Sequence, residues 1–223
     1  MTTGLLFLSG APETIGAALR TVDVSGSAAA WAGIRAADDP MAGTPYGSSW
    51  PYGGFVLLDY DGGADAAATG LAEVLDQFGD VIDRRSSMAI VGTTHTIIDG
   101  RTDIALVYLI HRIPALTPPQ YQDHWLNRHG PLAKKLVPTS GYEQTHADLQ
   151  AGSELAKVLG TDDAGFDGNA TCYFGSLQDF VDMLDHRQAE GSDNAIYQDE
   201  RLFIDHAGSI GALMRRVAIT DAT

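Results

Sequence analysis

The segment QYQDHWLNRHGPLAKKLVPTSGYEQTH, residues 120–146, says most about the fold and the chemistry of this chain. If its first part is helical, Tyr121, Trp125 and His129 recur every four residues and form one stripe along the helix. An aromatic stripe that ends in a titratable ring is what a small-molecule site needs. The same stripe is also typical of a hydrophobic core that contains a hydrogen-bonded histidine, and spacing alone leaves both interpretations open.

Residues around this stripe predict where the helix begins and ends. Thr117 is a suitable N-cap, and Pro118 and Pro119 suit an opening turn, so we expect a helix over Thr117–Arg128. Gly130-Pro131 predicts that the helix ends just beyond the histidine. The imidazole would then lie at the end of an element, where a cleft can form.

A strand is predicted to follow at Thr139–Ala147. Alternate side chains of a strand share one side, so Tyr142, Gln144 and His146 should project together. A face with a phenol, an amide and an imidazole is too polar for a dry layer beneath a helix, and it suits the wall of a hydrated cavity. Such a face would also be found on an exposed strand at the edge of a sheet.

Three motifs of this region occur together in a known family. Trp125, His129-Gly130-Pro131 and Gly141-Tyr142-x-Gln144-x-His146 resemble, in type and in order, the signature of EthD-domain proteins. The resemblance extends from Thr102 to about Thr220. It implies the dimeric α+β barrel group, in which the sheets of ferredoxin-like units face each other around a cavity. That group includes cofactor-free lyases, lactone isomerases, monooxygenases, haem-binding proteins and structural proteins, so the resemblance implies the fold more strongly than the reaction.

The order of elements along the chain agrees with this fold class. In the first half, the patterns predict the strand Leu5–Leu8, the helix Pro12–Arg20, the strand Phe55–Tyr60, the helix Ala64–Phe78 and the strand Ser87–Ile98. In the second half, they predict the strand Asp103–Ile113, the two elements described above, the helix Ser153–Leu159, the strand Asn169–Phe174, the helices Ser176–Arg187 and Asn194–His206, and the strand Leu213–Thr220. A strand–helix–strand order that occurs twice is the βαββαβ pattern of a ferredoxin-like unit. We therefore predict an α+β protein with two such units, which form a dimeric or pseudo-dimeric α+β barrel.

The boundary between the two units is predicted near Asp99-Gly100-Arg101, a turn signal. Residues 1–100 would form a degenerate ferredoxin-like unit, and residues 101–223 an EthD-like ferredoxin-like domain. The first unit contains a long loop rich in Gly, Pro and Ser at residues 36–54. This loop is expected to act as a lid or interface piece, or to wrap the surface on its own aromatic side chains, Tyr46, Trp50 and Tyr52.

Composition narrows the possible partners and the compartment. The chain has 223 residues, 44% hydrophobic and 19% charged, as expected of an ordered protein. Its formal net charge of −15 disfavours binding to nucleic acid or to an anionic membrane. Cys172 is the only cysteine, so no intrachain disulfide can form. The N-terminal apolar run is too short for a signal peptide or a membrane span, and a cytoplasmic location is the default expectation.

The residue types in the motif suggest specific catalytic roles. His129 is the leading candidate for a general acid or base, because its ordinary pKa lies nearest neutral pH. Tyr142 would donate its phenolic proton to a substrate oxygen and stabilise a developing enolate. His146 would be a second acid or base, or would hold a substrate hydroxyl. The family pattern supports His129 first and Tyr142 second.

Four further residues are predicted to bind the substrate. Gln144 would position it, while Trp125 and Tyr121 would supply an apolar wall for a flat ring or simply be part of the core. Cys172 reads as a buried, inert thiol in the middle of a strand. It stays a candidate because the chain is similar to methylmuconolactone-isomerase-like members, which have a cysteine on the corresponding strand.

No cofactor or metal site is predicted. His124 and His129 lie five residues apart, which places them on different sides of a helix. Motifs such as His-Glu-x-x-His, Cys-x-x-Cys and the glycine-rich phosphate loops are absent from the sequence. The sequence leaves open a noncovalent haem on a single histidine.

These observations together predict a cofactor-independent lyase, either a dehydratase or a C–C lyase, that acts on a small aromatic, phenolic or polyketide-like compound. A lactone isomerase or a cofactor-free monooxygenase of aromatic catabolism would use the same groups. The alternative from another class is a non-catalytic protein that binds an aromatic ligand. We expect a homodimer, although two units in one chain weaken that expectation because they can pair with each other.

Overall fold

Eight antiparallel strands close into a barrel in the computed structural model of the chain, which describes residues 2–44, 47–163, 165–191 and 194–219. The strands are β1 (Thr2–Leu8), β2 (Ala29–Arg35), β3 (Gly54–Tyr60), β4 (Met88–Ile98), β5 (Ile104–Ile110), β6 (Gly141–Ala147), β7 (Gly168–Phe174) and β8 (Ile210–Arg216). Their order around the barrel is β1-β3-β2-β8-β5-β7-β6-β4, and β4 pairs with β1 to close it.

Helices cover the outside of this barrel. They are α1 (Pro12–Leu19), α2 (Ala64–Asp76), α3 (Pro118–His124), α4 (Gly130–Leu136), α5 (Leu149–Leu159), α6 (Leu177–Glu190) and α7 (Ala195–Glu200). None of the helices in the described ranges has both the length and the apolar character needed to span a bilayer.

The predicted α+β class and the barrel are confirmed, and one chain supplies every strand. Within the first half the strand order is β4-β1-β3-β2, and the second half repeats it as β8-β5-β7-β6. The halves join at two antiparallel seams, β2 with β8 and β4 with β6. Both sheet edges of each half are therefore paired, which removes the exposed strand edges that promote aggregation.

Several elements differ from the sequence-based expectation. The first strand begins at Thr2 rather than Leu5, and α5 begins at Leu149 rather than Ser153. The strand β2 was not predicted, because its Ala- and Gly-rich sequence AAWAGIR has weak β propensity and forms a strand through pairing with β3 and β8. The helix predicted at Asn194–His206 is shorter, since α7 ends at Glu200. The last strand lies earlier than Leu213–Thr220, and Thr220 itself is outside the described residues.

The interior of the barrel is filled by side chains. Odd-numbered residues of β1 and β5, such as Phe7 and Val107, meet Phe55 of β3 and Tyr173 of β7 in one buried cluster. Burial of these large apolar groups is a major contribution to stability. Because this interior is packed, a small-molecule site has to be sought outside the barrel.

The long loop at residues 36–54 is anchored by its aromatic side chains at its C-terminal end. Trp50 and Tyr52 belong to the barrel core, where their rings lie 6.0 and 5.5 Å from the ring of Phe7. Tyr46 lies outside the described residues. The prediction that the aromatic side chains of this loop anchor it therefore holds for Trp50 and Tyr52.

A buried ionic cluster links the two halves at one end of the barrel interior. The Arg101 guanidinium donates to Asp59 Oδ2 of β3 at 2.7 Å and to Glu143 Oε1 of β6 at 2.8 Å. The Tyr173 hydroxyl donates to the other oxygen of Glu143 at 2.8 Å. Both carboxylates are almost fully buried and rely on this arginine to compensate their charge.

Candidate active site

A cavity of about 470 Å³ lies on the outer side of the sheet in the second half, between strands β5, β6 and β7 and the helices that cover them. Leu106, Tyr108 and Ile110 of β5 point into it, while the intervening residues point into the barrel. The volume falls in the range of small-molecule sites, and most lining side chains are apolar. The first half contributes Met41 and Thr44 from the long loop.

The helix that carries the aromatic stripe does not end at Gly130-Pro131, and that prediction is wrong. A wide π-helical turn spans Trp125–His129, and the chain continues as α4. The Gly130 N–H donates to the carbonyl of Trp125, five residues earlier. Because the regular hydrogen-bond ladder is already interrupted here, Pro131 enters the opening turn of α4 without breaking the helix. The N-terminal prediction is confirmed, since Thr117 N–H donates to Gln120 Oε1 at 2.9 Å in a capping box.

The Tyr142 hydroxyl is held by two donors. Trp125 Nε1 and Gln144 Nε2 each donate to it at 3.0 Å. The Gln144 amide cannot be reversed, because its Nε2 also donates to the Trp125 carbonyl at 3.0 Å. Both lone pairs of the hydroxyl are thus occupied, and its own proton remains for a ligand in the cavity that Tyr142 lines. Burial raises the pKa of Tyr142 far above its ordinary value, so the phenol stays protonated.

His129 is anchored by a carboxylate that sequence analysis did not find. Its Nδ1 lies 2.8 Å from Oδ2 of Asp199 on α7, and Nε2 of His124 lies 2.9 Å from the other oxygen. Burial raises the pKa of Asp199, but hydrogen bonds from the two imidazoles outweigh it and keep that pKa below its ordinary value. An ionised Asp199 accepts one hydrogen bond from His129 Nδ1–H and one from His124 Nε2–H. His129 lines the cavity, and its Nε2 is left to exchange a proton with a ligand.

His146 lies behind Trp125 rather than in the cavity wall. Its ring stacks on the indole with centroids 4.7 Å apart and planes at 9°, and the ring of His95 lies 4.7 Å away on β4. Its Nε2 lies 3.3 Å from Gln144 Oε1, which is the acceptor end of the fixed amide, so Nε2 carries the proton. Burial, with a smaller contribution from His95, lowers the pKa of His146 to about 4.

The predicted site residues divide into two groups. His129, Tyr142, Trp125 and Cys172 line the cavity together. Tyr121, Gln144 and His146 are buried but do not line it. The face of β6 is covered by Trp125, so the alternative of a solvent-exposed edge is wrong.

Cys172 and Tyr121 have contrasting surroundings. The Cys172 thiol faces the cavity, and burial raises its pKa to about 12, which keeps it protonated. Tyr121 packs against Trp125 and Phe203, with ring centroids 5.4 and 5.8 Å away. Tyr121 is thus part of the core that supports the wall.

A second polar group also lines the cavity, and sequence analysis assigned it no role. Arg187 Nη2 on α6 donates to Glu200 Oε2 on α7 at 2.7 Å, and His206 Nε2 lies 3.9 Å from the same oxygen. Tyr108 Oη is 3.4 Å from His206 Nδ1. Burial lowers the pKa of His206, so its imidazole is neutral at pH 7. In the described ranges, no group of three or more His, Cys, Asp and Glu side chains is arranged to hold a metal ion.

Comparisons with known proteins support the resemblance. The EthD domain family model matches residues 113–207. A proposed monooxygenase from Lactobacillus acidophilus NCFM has a similar structure at 5% identity and a TM-score of 0.55, over 99% of this chain and 95% of that one. A proposed monooxygenase from Fusobacterium nucleatum is similar at 12% identity and a TM-score of 0.54, over 99% and 93% of the two chains.

A variant chlorite dismutase from Candidatus Nitrospira defluvii, in complex with cyanide, is similar at 12% identity and a TM-score of 0.53, over 97% of this chain and 91% of that one. At such low identity these likenesses show a common fold alone. The comparison with curated proteins gives no match. Residues 113–207, which supply His129, Tyr142, Asp199 and Glu200, therefore match the EthD domain model and belong to an eight-stranded α+β barrel.

Proposed function

We propose that this chain is an enzyme that removes a proton from a small, mainly apolar compound, with His129 as the base and Tyr142 as the donor to the resulting oxyanion. One observation carries the proposal. The hydroxyl of Tyr142 already accepts two hydrogen bonds, so it can only donate into the cavity, whose wall also contains the Asp199-anchored imidazole. A fixed donor and an oriented base are the two parts that enolate chemistry requires.

The chemical step follows from these two groups. His129 Nε2 takes the proton from a carbon beside a carbonyl, or from a phenol. The C–H electron pair forms the new C=C bond, and negative charge develops on the carbonyl oxygen, which accepts the Tyr142 proton in a hydrogen bond. Asp199 stabilises the imidazolium that forms, as a carboxylate does for a catalytic histidine. General acid–base catalysis contributes about 10²–10⁴-fold, and an oxyanion donor about 10²–10³-fold.

The reaction that we favour is that of a cofactor-independent lyase. In a dehydratase, the enolate expels a hydroxide from the next carbon, and the His129 imidazolium returns its proton to it as water. In a C–C lyase, His129 instead takes the proton from a hydroxyl on the carbon β to the carbonyl. The O–H electron pair forms a new C=O bond, and the carbon–carbon bond breaks. Its electron pair forms the enolate that Tyr142 stabilises, which the His129 imidazolium then protonates at carbon. The apolar lining, with Trp125 and Ile110, suits an aromatic or polyketide-like substrate. A lactone isomerase would use the same deprotonation and return the proton to another atom.

A cofactor-free monooxygenase is the second candidate. Two proteins of similar fold are described as proposed monooxygenases, and the phenolate produced by His129 is the species that would react with oxygen. Oxygen consumption coupled to turnover distinguishes this reaction from a lyase, which consumes none. A non-catalytic ligand-binding role would leave the biological activity intact in both the His129 and the Tyr142 variants.

Two structural expectations belong to the same proposal. The shared strand order of the two halves supports two ferredoxin-like units, residues 1–100 and 101–223, arranged as a pseudo-dimer. Both strand pairings that join the two halves are made within one chain, so the described strands leave no edge to pair with a second copy. A homodimer would therefore have to form through the outer surface, which the helices cover. Size-exclusion chromatography with light scattering measures the oligomeric state directly.

The deciding experiment compares single variants on a panel of phenolic and β-hydroxycarbonyl compounds in D₂O, followed by NMR for proton loss and product. His129→Gln should lower turnover about 10²–10⁴-fold and Tyr142→Phe about 10²–10³-fold. His186→Gln, at an exposed position on α6, is the matched control and should keep wild-type turnover. Activity should persist after dialysis against a chelator. Full turnover in folded His129→Gln would remove this residue from the mechanism.

A further inference from the structure

We infer that the substrate carries a carboxylate and that Arg187, which lines the same cavity as His129 and Tyr142, binds it. This inference rests on the proposed function, because it assigns a second group of the molecule on which those residues act. The ligand would be an aromatic or polyketide-like acid, with an apolar body and one anionic group.

The first argument is the charge of the cavity. Among the described residues that line it, Arg187 is the only lysine or arginine, in a chain with 14 such residues and 29 acidic ones. Most other lining side chains are apolar. The Arg187 side chain is 31% exposed and is paired with Glu200, the one acidic residue among the described residues that line the cavity. This cation is the feature by which such a site would distinguish an acid from its neutral analogue.

The second argument is the unused donor capacity of the guanidinium. Arginine presents five N–H donors in a planar fork. In the described part of the chain, the guanidinium makes one hydrogen bond, from Nη2 to Glu200 Oε2. Glu200 therefore fixes the side chain on one edge and leaves the rest of the fork to a ligand. Bidentate contact with a carboxylate is the recognition that this geometry suits best.

The third argument is the relation to the proposed reaction centre. Arg187 and Glu200 both influence the pKa of Cys172, and Glu200 influences that of Tyr142. The ion pair is thus within electrostatic range of Cys172 and Tyr142. A single ligand of small-molecule size can contact both Arg187 and Tyr142, since all these residues line one cavity of about 470 Å³.

Glu200 gives the inference a second, opposite test. Its carboxylate competes with a ligand carboxylate for the same arginine and repels it. Removing this charge by Glu200→Gln should therefore strengthen the binding of an acid, while Arg187→Gln should weaken it. If the ion pair served only to join α6 to α7, both Arg187→Gln and Glu200→Gln would lower the stability of the protein, and neither would change its preference for the acid.

The experiment measures the binding of 4-hydroxybenzoate and 4-hydroxybenzamide by calorimetry at pH 7. The two probes share a ring and a phenol and differ in charge. Wild type should prefer the acid, and Arg187→Gln should lose between about tenfold and a hundredfold of acid affinity while its affinity for the amide changes little. Glu200→Gln should bind the acid more tightly than wild type does. Arg201→Gln, at an exposed neighbouring position, is the matched control and should keep wild-type preference.

The outcomes separate this inference from the proposed function. His129→Gln should keep the wild-type preference for the acid over the amide, because both probes carry the same phenol, even though its turnover is lowered. Equal affinity of wild type for the two probes, no binding of the acid at millimolar concentration, or an unchanged preference in folded Arg187→Gln would each overturn the carboxylate assignment. If Arg187→Gln does not fold, the test is the affinity of Glu200→Gln for the acid. An affinity higher than that of wild type supports the inference, and a lower one overturns it.

Discussion

Acidification from pH 7 to pH 4.5 should destabilise the folded chain through His146, and the structure gives the size of the effect. Burial behind Trp125 lowers the pKa of this imidazole from 6.5 to about 4. The unfolded chain takes up a proton as the pH falls below about 6.5, while the folded chain resists until about 4, so stability falls through that window. At about 1.36 kcal/mol per pKa unit, the full effect is about 3 kcal/mol, and about 2.5 kcal/mol of it is lost by pH 4.5.

The assay is urea unfolding at several pH values between 7 and 4.5 for wild type and His146→Phe. The phenyl ring keeps the stacking on Trp125 but cannot titrate. Other groups contribute to the pH dependence of both proteins, so the informative quantity is the difference between their slopes. The variant should lose about 2.5 kcal/mol less than wild type over this range. Parallel pH profiles for the two proteins would show that His146 is not kept neutral by burial, and the reasoning would fail.

Three further predictions concern the barrel and the cavity. Arg101→Met leaves the buried carboxylates of Asp59 and Glu143 without their cation and should lower the free energy of unfolding by about 3–5 kcal/mol; a loss below about 1 kcal/mol would contradict the role of this cluster. Phe55→Ala should cost about 3–5 kcal/mol in the same measurement, and a negligible cost would mean that the barrel interior is not packed as described. Cys172 should react slowly with a disulfide reagent at pH 8, because its pKa is raised to about 12, and reaction as fast as in the urea-unfolded chain would refute this environment.

Much of the fold could be predicted from periodicity, because each half alternates strands with amphipathic helices. The strand β2 could not, since its small residues become a strand only when β3 and β8 pair with it. The π-helical turn before Gly130-Pro131 could not be predicted from the sequence either. Glycine and proline usually stop a helix, and only the wider turn makes room for them inside one.

The candidate site was predictable where its residues share a motif. His129, Trp125 and Tyr142 lie within 18 residues of sequence and line one cavity. Asp199 lies 70 residues beyond His129, and no local pattern marks it as a partner. The same holds for Arg187 and Glu200, whose pairing depends on how α6 packs beside α7.

The shared face of Tyr142, Gln144 and His146 shows another limit of prediction from sequence. Alternation correctly gives them one face of β6, but it does not say what covers that face. Trp125 lies across it, so that Tyr142 meets the cavity while His146 is enclosed behind the indole.

The solid barrel has a consequence for how this scaffold can diversify. The packed barrel interior and the arginine that links its halves stabilise the fold from within, whereas the cavity lies outside the barrel, between the outer faces of β5, β6 and β7 and the helices and loop that cover them. Mutations in the covering helices and loop can alter the shape and charge of the cavity while the packing of the barrel interior stays unchanged. The side chains that line the cavity and those that fill the barrel interior are different sets, so a change of substrate does not require repacking of the interior.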